Sequence, residues 1–195
     1  GVLLSGSSKM KDLFHTSYIE LREAQGGNLI FKAELPDFSI GTIAVNADGS
    51  LWAASGSVWQ HGAKSTGDWE VRLWKREAPD TPVTLPAKLH SPRTLLFSPD
   101  KTRLLTGHTL GFELWETAGF TEIAKGGLPT GSTVNSNVAA LPSFRGDGTQ
   151  FVYAAGNTAV IFDTATGSRI RTFHLDKPAV TAVSFGDGDR KLAYG

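Results

Sequence analysis

Apolar and polar residues alternate along most of this chain in short runs, the period of a half-buried β-strand. Clusters of Gly, Asp, Asn and Ser separate the runs and predict tight turns. Five runs share one form, alternating apolar and small residues that end in glycine: LLSG, AASG, LLTG, YAAG and LAYG, with glycines at 6, 56, 107, 156 and 195. Four of the five follow an apolar run and an Asp turn, in IAVNADGS from Ile43, LLFSPDKT from Leu95, SFRGDGTQ from Ser143 and VSFGDGDR from Val183. Asp and Gly tolerate left-handed backbone, so each turn is expected to join two antiparallel strands. A third alternating strand comes after the glycine: YIELRE from Tyr18, VRLWKRE from Val71, FELWETA from Phe112 and AVIFDTA from Ala159. A fourth follows in NLIFKAEL from Asn28 and SRIRTFHL from Ser168.

The five glycines lie 50, 51, 49 and 39 residues apart. Repeats of about 40 to 50 residues with four strands each are those of propeller blades. With the strands of a unit lettered a to d, the sequence opens in strand b of one unit, continues through three full units, and closes on strand b of a fifth. The expected fold is therefore all-β, a β-propeller of four-stranded antiparallel blades. One domain spans 1–195, with a partial blade at 1–40, blades at about 41–90, 91–136 and 137–178, and a partial blade at 179–195. Both ends fall on strand b and duplicate each other, so an incomplete ring is expected, a fragment of a propeller of about seven blades. Its open blade edges would favour self-association.

The segment LLFSPDKTRLLTGHTLGFELWE from Leu95 to Glu116, with VRLWK at 71–75 and VIFDTATG at 160–167, resembles the WD-repeat family of β-propellers. The position of that family's Trp-Asp pair reads Arg22-Glu23, Trp74-Lys75, Trp115-Glu116 and Phe162-Asp163. The resemblance implies radially stacked blades, strand a lining a central channel, and a non-enzymatic scaffold for protein–protein interaction. A blade has two apolar faces that only neighbouring blades can cover. Trp74, Trp115 and Phe162 are accordingly expected between blades.

Charge excludes some partners. Lys plus Arg equals Asp plus Glu at 19 each, so no net field draws the chain to nucleic acid or to a membrane surface. No apolar run is long enough for a membrane-spanning helix. The chain has no cysteine, which removes disulfides, zinc–thiolate sites and a cysteine nucleophile.

Three histidines, His15, His61 and His108, fall after strand b in successive units. Equivalent loops of neighbouring blades are too far apart for ligand distances of about 2 Å, so they read as solvated loop histidines and no metal site is expected. FDTATG at 162–167 is similar to the turn of quinoprotein-type dehydrogenase propellers, but it occurs once, and Asp and Thr cap such turns on their own. GDGT at 146–149 reads as a hairpin turn, since no helix follows it to hold a phosphate. No catalytic residue, cofactor site or cofactor is expected. The strands lettered a read TIAVN, TLLFS, VAALPSF and AVTAVSF, with little acid–base chemistry for the alternative, a propeller enzyme of the quinoprotein-like dehydrogenase or hydrolase type.

Spacing singles out one region. From the strand-b glycine to the Trp-equivalent position there are 16, 18, 8 and 6 residues in successive units, so the first two carry insertions at 7–16 and 57–69. Insertions in repeat proteins map to loops on one face, often the binding face. These two bring Lys9, Lys11, Phe14, His15, Trp59, His61 and Lys64, a mixture of aromatics and cations of the kind that anchors interfaces. Phe14, His15, Trp59, His61 and Lys64 are the expected partner-binding residues, and the partner a protein or peptide.

Overall fold

A computed structural model describes residues 1–11, 14–60, 64–85, 91–108, 111–127, 141–176, 180–186 and 188–195, without the side chains of residues 10, 11, 14, 15 and 64. The chain divides into two compact units, Gly1–Leu95 and Leu96–Gly195. Among the described residues every regular element is a β-strand.

The first unit holds β1 (Val2–Lys11), β2 (Phe14–Glu23), β3 (Leu29–Pro36), β4 (Phe38–Val45), β5 (Leu51–Gln60), β6 (Lys64–Lys75) and β7 (Ala78–Thr84). They form a three-stranded sheet β1-β2-β3 and a four-stranded sheet β4-β5-β6-β7. Next come β8 (Thr94–Phe97), β9 (Arg103–His108), β10 (Gly111–Glu116), β11 (Glu122–Gly127), β12 (Ser143–Phe144), β13 (Gln150–Ala155), β14 (Thr158–Asp163), β15 (Arg169–His174), β16 (Val183–Gly186) and β17 (Lys191–Tyr194). These give sheets β8-β9-β10-β11, β12-β13-β14-β15 and β16-β17. Within each sheet consecutive strands are neighbours, and the hairpins pair antiparallel. Strands b, c and d of the first repeat, the full sets of the next three, and a and b of the last are thus all present in the expected order.

The Asp turns form with glycine in the left-handed backbone as expected at Gly49 and Gly148, but the aspartates there play another part. Asp48, Asp100 and Asp147 do not take the left-handed backbone; the residue after each does, with φ of 71° at Gly49, 66° at Lys101 and 74° at Gly148. Each Asp instead accepts a hydrogen bond from the N–H two residues on, at Ser50 (3.0 Å), Thr102 (3.1 Å) and Thr149 (2.9 Å). The carboxylate fixes the turn and its neighbour absorbs the strain. At Asp163 the same device serves the c–d turn, where one carboxylate oxygen accepts from both the N–H and the hydroxyl of Thr166, each at 2.8 Å.

Aromatics form the cores. In the first unit Ile19, Leu21 and Leu35 of one sheet cluster with Phe38, Trp52, Ala54 and Trp74 of the next. Trp52 and Trp74 are register partners, each 1% exposed. In the second unit Leu105, Phe112 and Leu114 of one sheet meet Phe144, Phe151 and Phe162 of the following one. Phe162 lies 4.7 Å from Phe112 edge-on and stacks on Phe151 at 5.1 Å. Trp74 and Phe162 therefore pack between successive sheets, and Trp115 is buried as well. Among the described residues the Nε1 atoms of Trp52 and Trp115 meet no acceptor, so these rings contribute through apolar packing.

Candidate interaction surface

The described residues of the two insertions are strand rather than loop, contrary to the sequence reading. Strands β1 and β2 stay in register from Val2↔Glu23 out to Lys11↔Phe14, and β5 and β6 stay paired, across one register shift, from Leu51↔Lys75 out to Gln60↔Lys64. The added residues lengthen both hairpins into ribbons, whereas β9, β10, β13 and β14 span six residues each. Alternating Ser, Thr and apolar side chains suit continued pairing, and a search for turn residues alone does not reveal this.

The β5–β6 ribbon is the better described of the two. A bulge between Ser57 and Trp59 shifts its register and increases local twist. Thr66 fills the bulge by donating from its hydroxyl to the Val58 carbonyl at 3.1 Å, while Gly67 takes φ of 80°. The ribbon is anchored to the start of β4, where Val58 pairs with Phe38 and the Trp59 N–H donates to the Asp37 carbonyl at 2.8 Å. The indole N–H of Trp59 donates to Ser57 Oγ at 3.1 Å, and the ring is half-buried. Trp69, also half-buried, covers Gly41 at a second bulge between Ile40 and Thr42. Below it the Arg72 guanidinium lies 4.2 Å above the Phe38 ring and pairs with Glu70 at 3.1 Å.

Strand β4 also ties in the other ribbon. The hydroxyl of Ser17 on β2 accepts from the Ile40 N–H at 3.2 Å and shares a 2.5 Å hydrogen bond with Ser8 on β1. Phe14 and Lys64 lie on the strands as the terminal members of β2 and β6, and His15 follows Phe14. Their side chains, like the whole of His61, fall outside the described residues; Trp59 is the one nominated residue whose setting is defined. Sequence reasoning passed over Trp69, Arg72 and Phe38, although the alternation of Trp69, Val71 and Leu73 with Glu70, Arg72 and Trp74 carried the signal.

His108 is not a solvated loop residue. It closes β9, is 8% exposed, and its Nε2 lies 3.6 Å from Glu113 Oε1. The other Glu113 oxygen accepts a 2.5 Å hydrogen bond from the Thr106 hydroxyl. Tyr153 reaches the same strand end, donating from its phenol to the His108 carbonyl at 2.7 Å. Burial, and then the charge of Glu113, push this phenol above its ordinary value. The cluster is an enclosed polar clasp within β9–β10 with its groups engaged on one another, and its short hydrogen bonds hold the hairpin end.

Among the described residues no group of three His, Cys, Asp or Glu is placed to hold a metal ion, and no helix is long and apolar enough to cross a bilayer. No family model and no curated protein sequence matches the chain.

Proposed function

We propose that the chain forms blades of a β-propeller of the WD-repeat type and acts as a non-enzymatic scaffold, with a protein or peptide docking at the β5–β6 ribbon. The observation that carries this reading is the ribbon itself. It extends the pairing of β5 and β6 beyond what the blade core needs, and it holds Trp59 and Trp69 half-exposed on anchored backbone. Rigid aromatics beside paired charges are the residue types that dominate interface energies. The meander of successive sheets with aromatics packed between them supports the propeller part of the proposal.

Selecting peptides from a random display library against the intact chain, and mapping the binders by amide hydrogen exchange, tests the docking site. Protection is expected at 57–60 and 64–70. Protection confined to other strands overturns the assignment.

A further inference from the structure

The strands β3, β7 and β15, each outermost in its sheet, treat their outer edges differently. An exposed edge is a template for another strand, and natural proteins blunt it with proline, bulges or charge. β7 carries Pro79 and Pro82 beside a register shift, and proline cannot donate to a ladder. β3 alternates Lys32 with Glu34 and ends on Pro36. β15, RIRTFH, contains neither proline nor carboxylate, and its Ile170 is 50% exposed. This strand lies inside the chain, which passes from it to β16 in another sheet, and among the described residues it pairs with β14 alone.

The pairing fixes which backbone groups face outward. The Leu175 N–H donates to the Asn157 carbonyl at 2.7 Å, so by alternation Phe173 opposite Ala159 and Arg171 opposite Ile161 turn their backbone groups to β14. Thr172 and His174, opposite Val160 and Thr158, alternate with them and turn their N–H and carbonyl groups to the outer edge. Arg169 and Arg171 make the strand cationic. The carboxylates that flank it in sequence are engaged elsewhere: Asp163 accepts from Thr166 at 2.8 Å, and Asp176 from the Tyr194 phenol at 2.6 Å.

We propose that the outer edge of β15 takes up an acidic extended peptide as an additional antiparallel strand. Main-chain hydrogen bonds to Thr172 and His174 supply the affinity, as in other strand additions. The new ladder places Arg171 in a non-hydrogen-bonded pair, where facing side chains come closest, so a glutamate opposite it makes the opposite-charge pair that sheets favour. A second copy of β15 would instead bring two arginine-bearing edges together, and charge selects the acidic peptide over self-pairing. The site lies in the second unit and stands or falls independently of the β5–β6 ribbon.

A fluorescein-labelled peptide TEVEVT, titrated into the intact chain and followed by anisotropy beside its lysine counterpart TKVKVT, tests the proposal. Saturable binding of the glutamate peptide is expected, with the lysine peptide weaker by about tenfold or more and the difference shrinking as salt is raised. Amide exchange should slow most at Thr172 and His174. Thr172→Pro removes an outward N–H that the sheet does not use, a change edge strands tolerate, and should abolish binding with the thermal melt retained. The double variant Arg169→Glu with Arg171→Glu keeps every backbone donor and should reverse the preference between the two peptides. No saturable binding, equal affinity for the two peptides, an unreversed preference in the double variant, or slowed exchange confined to other strands overturns the proposal. So does self-association of the peptide-free chain that Thr172→Pro abolishes, since a second copy would then be the occupant.

Discussion

The indole of Trp69 lies directly over the backbone of Gly41, so close that a Cβ built on the glycine stands 3.0 Å from the ring carbon Cζ3. Bulges flank this contact, one in β4 at Gly41 and one in β6 where Thr66, Gly67 and Asp68 stand against Val58, and the ring packs on the first. Gly41→Ala is therefore expected to displace Trp69 and to destabilise the first unit by about 1 kcal/mol or more. Urea denaturation followed by tryptophan fluorescence reads both effects. An unchanged midpoint with unchanged emission would mean that the ribbon does not rest on β4.

The a–b turns allow a paired test of backbone strain. Lys101 takes the left-handed conformation that Gly49 and Gly148 take elsewhere, and a side chain there costs about 1 kcal/mol. Lys101→Gly should raise the second unit's stability by a few tenths to about 1 kcal/mol, less the extra chain entropy of glycine. Gly148→Ala should lower it by at least as much, because its new Cβ also falls 3.2 Å from the Asp100 carboxyl carbon. Thermal melts of the two variants should shift in opposite directions; shifts of the same sign contradict the turn assignment.

Asp100 links stability to pH. Burial raises its carboxyl value, but hydrogen bonds from Ser98 and from the N–H and hydroxyl of Thr102, with the charge of Arg103, outweigh burial and hold it below the ordinary 3.8. A carboxyl lowered in the folded state stabilises above its unfolded value and loses that contribution as the pH falls through the folded value. Wild-type stability should thus decline as the pH drops below about 4, and Asp100→Asn should flatten that decline while lowering stability at neutral pH. Denaturant midpoints measured from pH 7 down to pH 3 check this. Parallel curves for the two proteins would rule out the linkage.

The clasp at the end of β9–β10 predicts an asymmetric pair of variants. Thr106→Val keeps the shape and removes the donor from the buried Glu113 carboxylate, an expected loss of about 1 to 3 kcal/mol. Thr106→Ser keeps the hydroxyl and should stay closer to wild type. Equal midpoints in denaturant for the two variants would show that the hydrogen bond contributes little.

Strand order and the buried aromatics could be read from the sequence because they depend on local alternation and on a repeat. Trp74, Trp115 and Phe162 recur at one register position, and burial at one repeat implies burial at the next. Whether residues 7–16 and 57–69 loop out or keep pairing could not be read that way, since Ser, Thr and Gly serve both outcomes. Pairing there depends on tertiary anchors such as the Ser17–Ile40 and Trp59–Asp37 hydrogen bonds, which join residues far apart in sequence. His108 misled for a similar reason: its burial depends on Glu113 across the hairpin and on Tyr153, 45 positions away.

The scaffold reading turns on Trp59. Its indole is half-exposed, its N–H is held by Ser57, and its backbone is fixed to Asp37, so truncation should remove contact area without opening a core. The decisive measurement is the affinity of a display-selected peptide for wild type and for Trp59→Ala, with thermal melts of both proteins alongside. The account predicts a Kd raised by about thirtyfold, the equivalent of a hot-spot loss of about 2 kcal/mol, with the melting temperature nearly unchanged. An unchanged Kd, or a melting temperature lowered by several degrees, would contradict it and make Trp59 a packing residue.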